Sequence, residues 1–597
     1  MGSLRIEDYA LIGDLQTAAL AGCNGSIDWL CWPNFSSSAC FAALLGAPEH
    51  GRWLIAPKSF KGKTARRYRP HTLILETIFE TSTGAVELID LMPIRGKTSD
   101  IIRVVRGLEG KTAMRAELLL RFEYGRTVPW LKKGDGGAWV ATGGPSLAVL
   151  RSPQKMQEES DGFLAADFTV KAGENVAFVL SYGSSHEPPP APIDHEKALR
   201  QTEEFWTNWC RQSTYHGPWS EAVERSLITL KALTYRPSGG IVAAPTTSLP
   251  ERMGGPLNWD YRYCWLRDAS LALSALIDAG FHQDAIDWKH WLLRAVGRDA
   301  SKVQIMYGLS GERHIPNWEA DWLPGYGKSA PVRIGNAAVT QTQQGIYGEV
   351  ARALFDGRQA GIPCEDPELE LQQRLTEHIA KVWRQPGSGM WEERGEPHHF
   401  TTSRAMVWVA LDRAISSIER HGMGGPLKKW KKLRDQVHAD VCRHGFHKRM
   451  NSFVQHYGSK QLDASLLLLP IFGFLPASDP RMLGTVSALE KRLMTGGLLL
   501  RNIPQSSKAK QGAFLACSFW LVENYAMAGR HNDAAKLFEH LLTLRNDVGL
   551  LSEEYGVGEK RLLGNFPQAL THIALVSAAL RLAQAPGADS QAPVNRL

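Results

Sequence analysis

"SSHEPPPAPIDHEKALRQTEEFWTNWCRQ", residues 184–212, is where the chain changes its period. The proline run breaks regular structure. Directly behind it, Ala198, Leu199, Phe205 and Trp206 recur at helical spacing, which predicts a linker helix within 191–215. Upstream, from about residue 70 to 182, short alternating runs such as "TLILETIFETSTGAVELIDLMPI" and "FLAADFTVKAGENVAFVLSYG" are rich in β-branched and aromatic residues and punctuated by glycine. That is the pattern of antiparallel sandwich strands, and residues 1–190 are expected to form a β-sandwich domain. Downstream the period is helical. Twelve amphipathic stretches, from 219–235 to 566–584, alternate with long Trp-, Gly- and Pro-rich loops. Twelve helices can close as six hairpins into a double ring, so residues 216–590 are expected to form an (α/α)6 barrel. The loops 236–266, 298–336 and 547–565 would gather at one mouth of it, where long loops usually carry function.

Composition sets the outer limits. At 597 residues, 44% hydrophobic and 22% charged, the chain is a multidomain globular protein. Its 68 basic and 61 acidic residues are interspersed, and the densest basic run, "LKKWKKLR" at 427–434, reads as the wet face of a helix, so no nucleic-acid partner is expected. Eight cysteines at scattered positions, without CxxC spacing, fit reduced thiols in a reducing compartment. The beginning, "MGSLRIEDYALIGD", lacks a secretory pattern and no apolar run reaches spanning length. A cytoplasmic location without membrane attachment is expected; whether copies assemble into a homo-oligomer is open.

Four loop segments could carry chemistry. "PGSGMWEERGEPHHF", 386–400, sets Glu392 and Glu393 behind Trp391. Adjacent carboxylates repel, and an apolar ring desolvates them, which raises a pKa toward the range of a general acid at neutral pH. A second pair, Glu553 and Glu554, precedes Tyr555 in "VGLLSEEYGVGEKRLLGNFPQALTH", 548–572. Glycosidic cleavage with inversion needs a proton donor on one side of the sugar and an ionised carboxylate on the other, roughly 6.5–9.5 Å apart. Either pair could equally be a solvated loop. "GGPLNWDYRYCWLRDASLAL", 254–273, crowds Trp259, Tyr261, Tyr263 and Trp265 with Asp260, Arg262, Arg267 and Asp268. Ring faces and bidentate polar groups suit a pyranose, although Asp268 could be a helix cap and Arg267–Asp268 a structural ion pair. "HIPNWEADWLPGYGKSAPVRIGNAAVTQTQ", 314–343, adds Trp318, Trp322, Tyr326, Arg333 and Asn336, whose rings either line a cleft or bury against the neighbouring domain. His398 and His399 are adjacent, and with no spaced partner they predict no metal. No cofactor is expected.

Taken together these segments resemble glycoside hydrolase family 15, the glucoamylase, bacterial trehalase and glucodextranase family, over nearly the whole chain. "DYALIGDLQTAALAGCNGSIDWLCWPNFSSSACFAALLG" is similar to the opening of its bacterial members. "YRYCWLRDAS" is similar to a substrate-binding segment, "GMWEERGEPHHFTTSRAM" to the general-acid loop, and "LLSEEY" with "GNFPQALTHIAL" to the general-base loop. The resemblance implies a β-sandwich before an (α/α)6 barrel and an exo-acting, inverting hydrolase that releases β-glucose from an α-glucan or α-glucoside. It implies Glu392 as general acid, Glu553 as general base, Glu393 on the hydroxyls of the leaving sugar, and Tyr261 on the attacking water. Arg267 and Asp268 would grip the terminal glucose, with Trp265 and Trp391 as walls and Arg333 and Trp322 as further substrate-binding residues. Gly345 and Asn502 depart from the family's pattern, which leaves maltooligosaccharides, isomaltose or dextran, and trehalose open. An inverting phosphorylase would not need Glu553, and a silent glycan-binding protein would not need both carboxylates.

Overall fold

The computed structural model describes residues 4–58, 60, 62–160, 162–503 and 512–584. Residues 1–3, and 585–590 of the expected helical domain, lie outside the described residues.

The front half is antiparallel throughout its strand pairings. Its central strand, Ser99–Leu119, pairs along its first part with Gly84–Leu91 and Asn175–Ser184, and along its second with Arg52–Pro57 and Phe163–Lys171. The exposed stretch 108–111 marks the crossing between those two parts. Side chains from both sets meet inside: Phe168 and Phe178 lie 5.6 Å apart, centroid to centroid. Six strands precede residue 70, beginning with Tyr9–Gly13 and Ala18–Gly22, although the alternating pattern starts only near 70. For the first two the reason is burial on both faces. "YALIG" and "AALAG" are buried at every position and so carry no alternation to read.

The chain leaves the sheet at Ser184 and enters helix α1, His195–Cys210, where the Asp194 side chain accepts from the backbone N–H groups of Glu196 and Lys197. Helix α1 touches both halves. Ala198 and Leu199 cover an apolar patch of the sheet around Ile89 and Ile102, while Trp209 stacks on Phe281 at 4.1 Å and donates to Asp284.

Twelve further helices follow among the described residues: α2 Ser220–Ala232, α3 Leu266–Asp278, α4 His282–Val296, α5 Gly345–Gln359, α6 Asp366–Val382, α7 Thr401–His421, α8 Leu427–His444, α9 Leu468–Ile471, α10 Pro480–Leu493, α11 Leu515–Met527, α12 His531–Leu542 and α13 Ala569–Ala583. Helices α3, α5, α7, α9, α11 and α13 contact one another in cyclic order, α13 returning to α3, and the even-numbered helices pack outside them. This is the (α/α)6 barrel. Helix α11 is buried from Leu515 to Ala526, as a helix apolar all round must be, whereas α8 buries only Trp430, Val437 and Val441. The apolar spacing predicts a helix over 337–357, but that helix begins at Gly345. Residues 337–340 form a 3-10 turn capped by Asn336, and the chain from there to 344 stays irregular.

Candidate active site

A cavity of about 590 Å³ opens where the inner helices begin. Its wall takes Trp265, Arg267 and Asp268 from the start of α3, Gln341 from before α5, Trp391 and Glu392 from before α7, Phe514 from before α11 and Gln568 from before α13. Helix N-termini present unpaired N–H groups and positive partial charge, so a mouth built from them favours carboxylates and hydroxyl oxygens.

The segment 258–268 is fixed from beneath. Arg262 is buried, holds Asp260 through both carboxylate oxygens at 2.9 and 2.7 Å, and donates to the Ser37 carbonyl of the sheet domain at 2.9 Å. Above that anchor Tyr261 and Trp265 lie with ring centroids 5.4 Å apart. The tip of each ring ends on a glutamate from a different loop. The Trp265 indole N–H donates to Glu392 Oε1 at 2.6 Å, and the Tyr261 hydroxyl donates to Glu553 Oε1 at 2.6 Å. Arg267 donates to Asp268 at 2.8 Å and to the Met390 carbonyl, which ties the start of α3 to the loop carrying Glu392.

That loop turns sharply. Gly389 has φ +71°, and a Cβ there would meet the Phe400 ring at 3.0 Å; Glu392 itself has φ +60°, a left-handed conformation rare for a residue with a Cβ. Burial raises the Glu392 carboxyl, while the Arg267 guanidinium and the Trp265 N–H pull it back. Trp391 donates to Asp463 at 2.9 Å and packs against Phe514 and Trp520.

The loop that carries Glu553 is more enclosed. Glu553 is fully buried and accepts from the Asn565 N–H as well as from Tyr261. It does not line the cavity directly; Tyr261 stands between. Glu554, Glu553 and Glu251 crowd around Arg501, which donates to Glu251 at 3.0 Å and lies 4.0 Å from Glu554. Burial, then the Glu251 charge, raises both Glu553 and Glu554, and Arg501 opposes the rise.

Tyr261, Trp265, Arg267, Asp268, Trp391 and Glu392 therefore share one cavity. Besides Glu553, three of the residues expected to bind the substrate, Glu393, Arg333 and Trp322, do not line it. Glu393 turns away and accepts from Gln455 at 2.6 Å. Arg333 donates to the Pro256 and Asn258 carbonyls and stacks on Trp259 at 4.6 Å. Trp322 donates to the Tyr124 carbonyl at 3.0 Å and stacks on Trp318, so it buries against the sheet domain. The sequence reading missed Glu251, Arg394, Asp463 and Arg501. Arg394 stands directly behind the flagged glutamate pair and Glu251 beside Arg252, while Asp463 and Arg501 are single charges in loops, with no spacing to mark them.

A family model described as "Glycosyl hydrolases family 15" matches residues 217–580, and one described as "Trehalase-like, N-terminal" matches residues 2–206. A trehalase of Mycobacterium tuberculosis is 35% identical over 97% of this chain and 90% of its own length. A trehalase of Thermoplasma volcanium is 34% identical over 98% of this chain and 94% of its own. A crystal structure of a bacterial glucoamylase complexed with acarbose shares the fold, with a TM-score of 0.73 at 13% identity over 98% of this chain and 94% of that one. On the family match and the full-length identity to its relatives, the chain belongs to glycosyl hydrolases family 15.

Proposed function

We propose that the protein is an exo-acting, inverting α-glucoside hydrolase of the trehalase type, with Glu392 as general acid and Glu553 as general base. The observation that carries this reading is the pair of ring tips. Two glutamates from loops far apart in sequence are each held by a 2.6 Å hydrogen bond on neighbouring rings of one segment. Inverting hydrolysis needs two carboxyl groups flanking one glycosidic bond with room for a water, roughly 6.5–9.5 Å apart; the rings that hold these two glutamates lie side by side, centroids 5.4 Å apart.

Glu392, raised by burial, delivers its proton to the glycosidic oxygen as the bond to C1 breaks. Trp265 fixes Oε1 and leaves Oε2 to carry that proton. On the opposite face the Tyr261 hydroxyl accepts the proton of the attacking water and passes its own to Glu553, onto which it already donates, as the water's oxygen bonds to C1. Arg267 and Asp268 hold hydroxyls of the terminal glucose in the cavity wall, which makes the attack specific for a chain end. Trehalose is favoured as substrate because the full-length relatives at 35% and 34% identity are named trehalases. The eight free thiols suit a reducing cytoplasm.

The test follows products of α,α-trehalose by NMR before mutarotation. Inversion yields equal amounts of α- and β-glucose at first; α-glucose alone would refute it. Glu392→Gln and Glu553→Gln are each expected to lower kcat by about 10²–10⁴-fold with the fold intact.

A further inference from the structure

From Met390 to Arg394 the left-handed turn at Glu392 sends one residue out of the cavity. Glu393 faces Gln455, while Arg394 lines the wall. The Arg394 guanidinium lies 4.1 Å from the centroid of Trp259, a ring itself held by its N–H on Glu251 at 2.9 Å. The other two guanidinium groups on the wall are engaged: Arg267 with Asp268, and Arg501 with Glu251. Among the described residues no side-chain or backbone oxygen accepts from Arg394. Its donors are flat, preoriented by the indole, and open to the cavity.

We propose that Arg394 is the specificity-determining residue for the leaving sugar, its planar fork donating to neighbouring hydroxyl oxygens of the glucose whose glycosidic oxygen Glu392 protonates. This rests on the reading of Glu392 as general acid. Arg394 follows Glu392 by two residues on the same wall, so it is placed beside the group that departs, not the one attacked. A neutral sugar fits better than an anionic one, because Glu251, Asp268 and Glu392 share the wall. A stacked guanidinium matches two adjacent oxygens in a way that a lysine ammonium cannot.

The experiment compares kcat/KM of the full chain on α,α-trehalose and on α-D-glucosyl fluoride, which has no leaving sugar. Arg394→Ala is expected to lose about 10- to 100-fold on trehalose, the scale of a charged hydrogen bond, and little on the fluoride. Arg394→Lys should recover only a small part of that loss. The side chain is exposed, so the melting temperature should not move. Equal losses on both substrates, or no loss on trehalose, would overturn the proposal while the wild type still hydrolyses the fluoride with inversion. A wild-type preference for trehalose carrying a 6-phosphate, abolished in Arg394→Ala, would overturn the neutral-sugar assignment. A wild type that cleaves neither substrate would sink the hydrolase reading first, and this one with it.

Discussion

Glu554 shows how three buried carboxylates and one guanidinium divide their protons. Glu251 is met by Arg501 and the Trp259 N–H, and Glu553 by the Tyr261 hydroxyl and the Asn565 N–H; among the described residues neither Glu554 oxygen has a hydrogen-bond partner. Donors stabilise an ionised carboxylate and burial without them favours the acid, so of these two raised groups Glu554 holds its proton the more firmly and Glu553 ionises first. Glu554→Gln replaces a neutral acid by a neutral amide. It is therefore expected to retain kcat within a few-fold and to leave the acid limb of the pH–rate profile in place. A shift of that limb by about one unit or more would show Glu554 ionised in the working enzyme. On the alkaline side, activity should fall as pH rises through the raised pKa of Glu392, because the acid must enter the reaction protonated. Both glutamate pairs stand out in the sequence as like charges beside a ring. Which member faces the cavity does not, since it depends on a φ of +60° at Glu392 that no residue type there announces.

Helices were the most readable elements, and their ends the least. "NAAVTQTQQGIYGEV" has helical propensity from Ala337, yet the Asn336 side chain closes a 3-10 turn on the Ala338 N–H, and the irregular residues that follow include Gln341, which lines the cavity. Function took the first turn of that helix. At the opposite end of the barrel, α11 carries Glu523 inward, 4.0 Å from Arg581, beside a cavity of about 130 Å³. Burial pushes Glu523 up to about 7 against an ordinary value of 4.5. A raised carboxyl contributes stability that is fully present below about pH 4.5 and is lost as pH rises through about 7. Glu523→Gln should therefore raise stability by about 2 kcal/mol at pH 8 and change little near pH 4.5, measured by denaturant titration at both values. An equal change at both would mean that burial is not the cause.

At the scale of the whole molecule, the sequence divides the chain at its proline run, but the structure joins the halves. One apolar cluster includes Ile6 and Trp53 of the sheet domain together with Trp288 and Leu582 of the barrel, and α1 is packed into both. Trp29 donates across the junction to the Pro245 carbonyl at 2.8 Å, and Asn546 reaches back to the Tyr9 carbonyl at 2.8 Å. Scanning calorimetry is thus expected to show one cooperative transition, and a chain beginning at residue 216 to be inactive; two separate transitions would refute a shared core. None of these cross-junction bonds is legible in the sequence, because each joins residues hundreds of positions apart through a backbone carbonyl, which any residue type supplies. Arg262 makes the same point for catalysis. Its grip on the oxygen of Ser37 means that the sheet is a jig for the aromatic pair above it, so exchanging that half for a relative's would detune the chemistry unless one peptide group landed where it does now.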